Sequence, residues 1–173
     1  EFSDHEAEVL WYGMGGARDE YLAQRSVSPE RFWQTFHEVE NPQERARATY
    51  LYDDAEDFLQ AIEGPVGLVT HCQRYLTDPV LDGLAIRDWF DGVVCCSDAT
   101  GWKPDPDPVH RLMRGMGVDP GTDDGVLIGD DPTDVGAARA ANLDAVQVVR
   151  RTATDGGDPR TDPRQISDFT ELS

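Results

Sequence analysis

The sequence contains almost no lysine. Of fifteen Lys and Arg residues in a chain of 173, only Lys103 is a lysine. Positive charge is scarce altogether, because 34 Asp and Glu leave a formal net charge of −19 at pH 7. A surface of that sign repels nucleic acid and anionic membrane, so neither is an expected partner. No apolar run approaches the roughly 18 residues of a membrane span, and no signal peptide is visible, which makes a cytoplasmic location the expectation. Cysteine is sparse as well: Cys72, Cys95 and Cys96 are odd in number and lack metal-ligand spacing. Cys95 and Cys96 fall inside an apolar strand pattern, so buried reduced thiols are expected. An acidic, nearly lysine-free composition reads as halophilic and archaeal-like, suited to a high-salt cytoplasm where screening mutes self-repulsion.

The length suits one ordinary domain, or a core with a small appended subdomain. Residues 1–48 read as helical and polar. A helix is expected over 6–12, broken at Gly13. A second starts where Ser28 caps and Pro29 takes the first helical position, with Phe32, Phe36 and Val39 as its face. Trp11 and Trp33 read as packing residues. From residue 52 the texture changes to helices alternating with short apolar strands. Strands are expected over 66–69, 93–96, 126–130 and 145–149, and helices over 54–63, 109–116 and 132–141. Residues 151–164 read as a loop and 165–173 as a short terminal element. Strands alternating with helices imply an α/β fold, Rossmann-like, with a parallel sheet.

Residues 126–134 organise the rest. An apolar run ends in Gly129-Asp130-Asp131, and Pro132-Thr133-Asp134 follows as a helix start. Ligands of open α/β sheets bind at that carboxyl edge. Thr70 and Lys103 arrive at the same edge from two other strands. Thr70 alone reads equally as a strand end. Lys103 stands between Trp102 and Pro104 in a chain that uses Arg at every other basic position, which argues for a compact point charge that a guanidinium does not replace. Asp131 reads as an N-cap, and Asp134 as a first-turn acid that completes it. Asp130 is harder to explain as structure: adjacent carboxylates repel unless a cation or hydrogen bonds offset them, and hard oxygens suit Mg²⁺.

Leu68-Val69-Thr70-His71, Lys103-Pro104-Asp105-Pro106 and Gly129-Asp130-Asp131-Pro132-Thr133-Asp134 resemble, in order and interval, the second, third and fourth motifs of the haloacid dehalogenase superfamily. The resemblance covers roughly residues 52–150 and points to the phosphoglycolate-phosphatase-like branch, which carries a helical cap ahead of the second motif. It implies a partial cap over 1–48 and a catalytic core over 49–173. It also implies Mg²⁺-dependent phosphoryl transfer from a small phosphorylated metabolite through a phosphoaspartyl enzyme. Thr70 would hold phosphoryl oxygens, Lys103 would offset charge, and His71 would contact substrate. Asp130 would bind Mg²⁺, with Asp131 a weaker candidate, and Asp134 would orient Lys103 or support the metal shell. Such roles suit a reaction governed by positioning and charge.

One motif of that family is missing. An apolar strand ending in Asp-x-Asp supplies the family's nucleophile and lies between the strands of the second and fourth motifs. The nearest match, Tyr50-Leu51-Tyr52-Asp53-Asp54-Ala55-Glu56, corresponds better to the stretch that leads into the second motif. A gap in the middle of the sheet is therefore expected. With no methionine at Glu1, the economical reading is that the natural N-terminal segment is absent and that these residues alone are inactive. The alternatives are a second chain that completes the sheet and a non-catalytic binding or regulatory module. A 2-haloacid dehalogenase, which needs no Mg²⁺, is disfavoured by the acids after Gly129.

Overall fold

The computed structural model describes residues 3, 6, 9–10, 17–150 and 164–172. Most of the helix expected over 6–12, Trp11 with it, and residues 151–163 of the expected loop lie outside the described residues. The chain forms two compact units, residues 1–41 and 42–173.

The first unit holds α1 (Ala17–Gln24) and α2 (Pro29–Val39). Ser28 Oγ accepts the Arg31 N–H at 3.2 Å, the side-chain cap that its type and place predict. Phe32, Trp33 and Phe36 pack ring against ring, with Phe32 and Trp33 centroids 5.2 Å apart. Val39 does not join them. It is the last residue of the helix and is 75% exposed.

The second unit runs α3 (Pro42–Ala48), α4 (Asp53–Ala61), β1 (Gly67–Thr70), α5 (Arg74–Gly83), a 3₁₀ turn (Arg87–Trp89), β2 (Gly92–Cys95), α6 (Asp107–Gly115), β3 (Val126–Gly129), α7 (Pro132–Ala140), β4 (Asp144–Val148), β5 (Arg164–Ile166) and a closing 3₁₀ turn (Phe169–Leu172). β1 to β4 are short, mainly apolar runs that begin or end at Gly or Asp, and α6 and α7 both carry Pro in their first turn. Helix α3 packs on α5, α6 packs on β1 and β2, and α7 packs on β3 and β4.

Every strand pair is parallel, as the alternation requires. The strands form two sheets. β1 pairs with β2, from Gly67 opposite Gly92 to Thr70 opposite Cys95. β4 lies between β3 and β5. The two sheets nevertheless share a core. Val109 and Met113 of α6 and Ala137 and Ala141 of the α7 region form one buried cluster, and Val69 of β1 and Leu127 of β3 both pack against it. β1 and β3 are each paired along one side only among the described residues, as a gap between them requires.

The segment nearest to a nucleophile motif is not a strand end. Residues 50–52 form no strand, and α4 begins at Asp53. Three acids in one turn, Asp53, Asp54 and Glu56, favour a helix N-terminus. Asp54 Oδ2 accepts from Arg150 Nη2 at 2.6 Å and from the Phe169 N–H at 2.8 Å. The Arg150 guanidinium also lies 4.0 Å from the Tyr52 ring centroid. Asp54 therefore ties the start of α4 to the end of the chain. The terminal element expected over 165–173 proves to be a third strand of the second sheet followed by a 3₁₀ turn.

Candidate active site

Two strand ends shape one half of the site. At the end of β1, the Thr70 carbonyl accepts the Cys96 N–H at 2.7 Å and Thr70 Oγ1 accepts the Cys72 N–H at 3.0 Å. Thr77 Oγ1, buried on α5, donates to the Cys72 and Gln73 carbonyls and fixes the turn between. After β2, the chain folds back through a bridge between Ser97 and Gly101 and presents Lys103. The Lys103 N–H donates to Nε2 of His71 at 3.1 Å. The His71 ring meets Trp102 edge to face at 5.6 Å, and Trp102 Nε1 donates to Asp98 at 3.1 Å. Lys103 Nζ reaches across to Asp134 Oδ1 at 2.5 Å, with both side chains less than one-tenth exposed.

The start of α7 shapes the other half. Asp131 is its N-cap: Oδ1 accepts the Thr133 N–H at 2.8 Å and the Thr133 hydroxyl at 2.7 Å. Asp134 closes the capping box, its Oδ2 accepting the Asp131 N–H at 3.1 Å. Both Asp134 oxygens are therefore occupied, one by Lys103 and one by the helix start. Two glycines make room for this. A Cβ on Gly129 would lie 2.2 Å from Asp134 Oδ2, and a Cβ on Gly136 would lie 2.6 Å from Pro104 Cβ in the Lys103 loop. Asp130 differs from its neighbours: it is exposed, and its carboxylate has no hydrogen bond or ion pair among the described residues.

These contacts set the chemistry. A lysine and an aspartate removed from water are stable only as a pair with their other bonds satisfied, which fixes Lys103 Nζ as an oriented cation at the strand ends. Partial burial, and then the Lys103 charge, push the His71 pKa down, while Asp134 and Asp131 act in the opposite sense. Burial pushes the Cys96 thiol up, away from a nucleophile's range. The hard, uncommitted oxygens of Asp130 fit Mg²⁺, and Asp131 has one oxygen already bound by Thr133. No group of three or more metal-ligating side chains occurs among the described residues.

Of the residues singled out in the sequence, His71, Lys103 and Asp134 form one bonded chain, Thr70 sits at its start, and Asp131 joins it through Asp134. Asp130 stands beside that chain without bonding to it. Sequence reasoning missed the His71 bond to Lys103 and the steric role of Gly129. A glycine at the strand end was the available signal.

A family model described as haloacid dehalogenase-like hydrolase matches residues 6–148. The phosphoglycolate phosphatase of Escherichia coli (strain K12) is 33% identical over 101 residues, which cover 57% of this chain and 39% of the relative. That of Colwellia psychrerythraea is 31% identical over 99 residues, covering 56% of this chain and 43% of the relative. The matched stretch thus spans about two fifths of each curated relative. In fold, the chain is similar to a HAD hydrolase, family IA, variant 3, from Entamoeba histolytica, with a TM-score of 0.75 at 16% identity over 99% of this chain and 80% of that one.

Proposed function

The chain belongs to the haloacid dehalogenase-like hydrolase family, and on that premise we propose that it carries most of the active site of an Mg²⁺-dependent phosphatase for a small phosphorylated metabolite. The observation that carries this reading is the only lysine of the sequence, buried against Asp134 at the carboxyl ends of the strands. Phosphoryl transfer needs a fixed positive charge there more than it needs covalent chemistry from the protein. Thr70 would donate its hydroxyl proton to a phosphoryl oxygen, its own oxygen still accepting the Cys72 N–H. Lys103 would offset the charge of the phosphate and the attacking carboxylate, and Asp134 would hold Lys103 in place. Asp130 would bind Mg²⁺, with Asp131 as a weaker contributor, and the ion when bound would neutralise further phosphate charge.

The attacking carboxylate is not among these residues. We place it on a strand inserted between β1 and β3, supplied by a segment outside the 173, with a carboxylate attacking phosphorus, the alcohol leaving, and water then releasing inorganic phosphate. The unpaired sides of β1 and β3 above a shared core support that placement. Residues 1–48 would be part of a cap that selects the substrate, and phosphoglycolate, the substrate named for the curated relatives, is the first to test. No helix among the described residues is long and apolar enough to cross a membrane, and the acidic surface supports a cytoplasmic enzyme with no nucleic-acid partner. A non-catalytic module of the same fold is the second reading, favoured by the incomplete metal set.

The test is Lys103→Met in the protein carrying its upstream segment. Hydrolysis should fall by about 10²-fold or more with the circular dichroism spectrum unchanged, and near-normal turnover would reject the assignment.

A further inference from the structure

We propose that His71 is a positioning residue that holds the Lys103 loop through its neutral ring, rather than a group that touches substrate. The inference rests on Lys103 being the charge of the proposed site. Three contacts carry it. The His71 Nε2 atom faces the Lys103 N–H at 3.1 Å, a geometry in which that nitrogen accepts and therefore bears no proton. Trp102, the residue before Lys103, packs its ring against His71 at 5.6 Å and is itself held by Asp98. The next residue, Pro104, lies against α7 where Gly136 leaves room for it. The loop is thus pinned on both sides of Lys103, by the end of β1 on one and by α7 on the other, and the Lys103 side chain spans from that anchor to Asp134.

A ring that accepts at Nε2 carries its proton on Nδ1. Protonating Nε2 turns the acceptor into a donor facing a donor, so the anchor and the imidazolium exclude each other. The charged groups around the ring act in both directions: Lys103 opposes protonation, and Asp134 and Asp131 favour it. His71 keeps an open face to solvent, so the bond to the Lys103 amide, and not desolvation, decides the tautomer.

The single lysine makes this measurable without assigning the rest of the spectrum. The 173-residue chain labelled with ¹⁵N,¹³C-lysine has one lysine amide and one ammonium signal, both from Lys103. In uniformly ¹⁵N-labelled protein, long-range ¹H–¹⁵N correlations at neutral pH should give the Nδ1–H tautomer for the ring that disappears in His71→Ala. His71→Ala should move both the Lys103 amide and its ammonium signals. His71→Gln, which keeps an acceptor at similar reach, should leave the ammonium near its original position. Removing one such bond should also weaken inorganic phosphate binding about fivefold, with recovery in His71→Gln. An Nε2–H tautomer, or an ammonium signal unmoved by His71→Ala, overturns the proposal and leaves the phosphatase reading intact. The expected tautomer and shifts, together with full turnover in Lys103→Met of the protein carrying its upstream segment, would leave the anchor standing and reject the function.

Discussion

Gly129 leaves empty the space that the Asp134 carboxylate occupies: a Cβ on the strand residue would fall 2.2 Å from the carboxylate oxygen that caps α7. The last residue of β3 is therefore part of the machinery that aims Lys103, although it touches nothing chemically. Gly129→Ala must displace the Asp134 carboxylate or the helix start, at a cost of about 2 kcal/mol or more. The check is a thermal melt together with the Lys103 ammonium signal; an unchanged signal would mean that Asp134 tolerates the intrusion.

Asp134→Asn should be as harmful from the other side. It leaves the Lys103 ammonium buried without its counter-charge, and removal of one partner of a buried pair costs roughly 3 kcal/mol. Lys103 and Asp134 are each less than one-tenth exposed, so water cannot readily substitute. Chemical denaturation of the two proteins measures the difference. In the wild type, Lys103 should also resist reductive methylation, and in Asp134→Asn it should react.

Asp130→Asn should leave stability near that of the wild type, because the carboxylate is exposed and uncommitted among the described residues. In the protein with its upstream segment, the Mg²⁺ concentration for half-maximal turnover should rise steeply. An unchanged Mg²⁺ titration would count against a metal role for Asp130.

Asp54 predicts an acid-sensitive tie. The Arg150 side chain, and then the Phe169 N–H, hold its carboxyl below the usual carboxylate range. The folded state therefore binds the proton less readily than the unfolded chain. The stabilisation is complete above the unfolded Asp pKa of about 3.9 and is lost as pH falls through the folded value. Asp54→Asn should melt below the wild type near neutrality, and the gap should close as the pH falls through the lowered folded-state pKa of Asp54. A gap independent of pH would contradict the ion pair.

These relationships differ in how far the sequence disclosed them. The cap of α7 was legible because Asp131, Pro132 and Asp134 are consecutive signals on one short segment, and β1 to β4 were legible because apolar runs flanked by turn residues have few other fates. β5 was not: Arg164-Gln165-Ile166 is three residues long, two of them polar, and becomes a strand only because β4 offers it an edge. Asp54 was legible as part of a helix start, as observed, but not as an ion-pair partner, because Arg150 lies 96 positions away. The His71 anchor spans 32 positions and leaves no periodic trace. Local grammar gave the elements and the acids, whereas the bonds that aim Lys103 depend on tertiary placement.

Salt should strengthen the fold. A formal charge of −19 implies self-repulsion that screening relieves. Raising KCl from about 0.1 to 2 M should lift the melting temperature by more than about 3 °C, the shift that roughly 1 kcal/mol produces in a domain of this size. A flat or falling curve would remove the halophilic reading.

The most direct measurement compares Mg²⁺-dependent release of phosphate from phosphoglycolate and p-nitrophenyl phosphate by two proteins. One is the 173-residue chain, and the other is the same chain preceded by its upstream coding segment. The 173 residues alone should release none. The longer protein should turn over at least one of the two esters, provided that the added segment contains an apolar strand ending in Asp-x-Asp, and should lose that activity when the first Asp is replaced by Asn. Hydrolysis by the 173 residues alone, or an inert longer protein that contains the motif, would contradict the account.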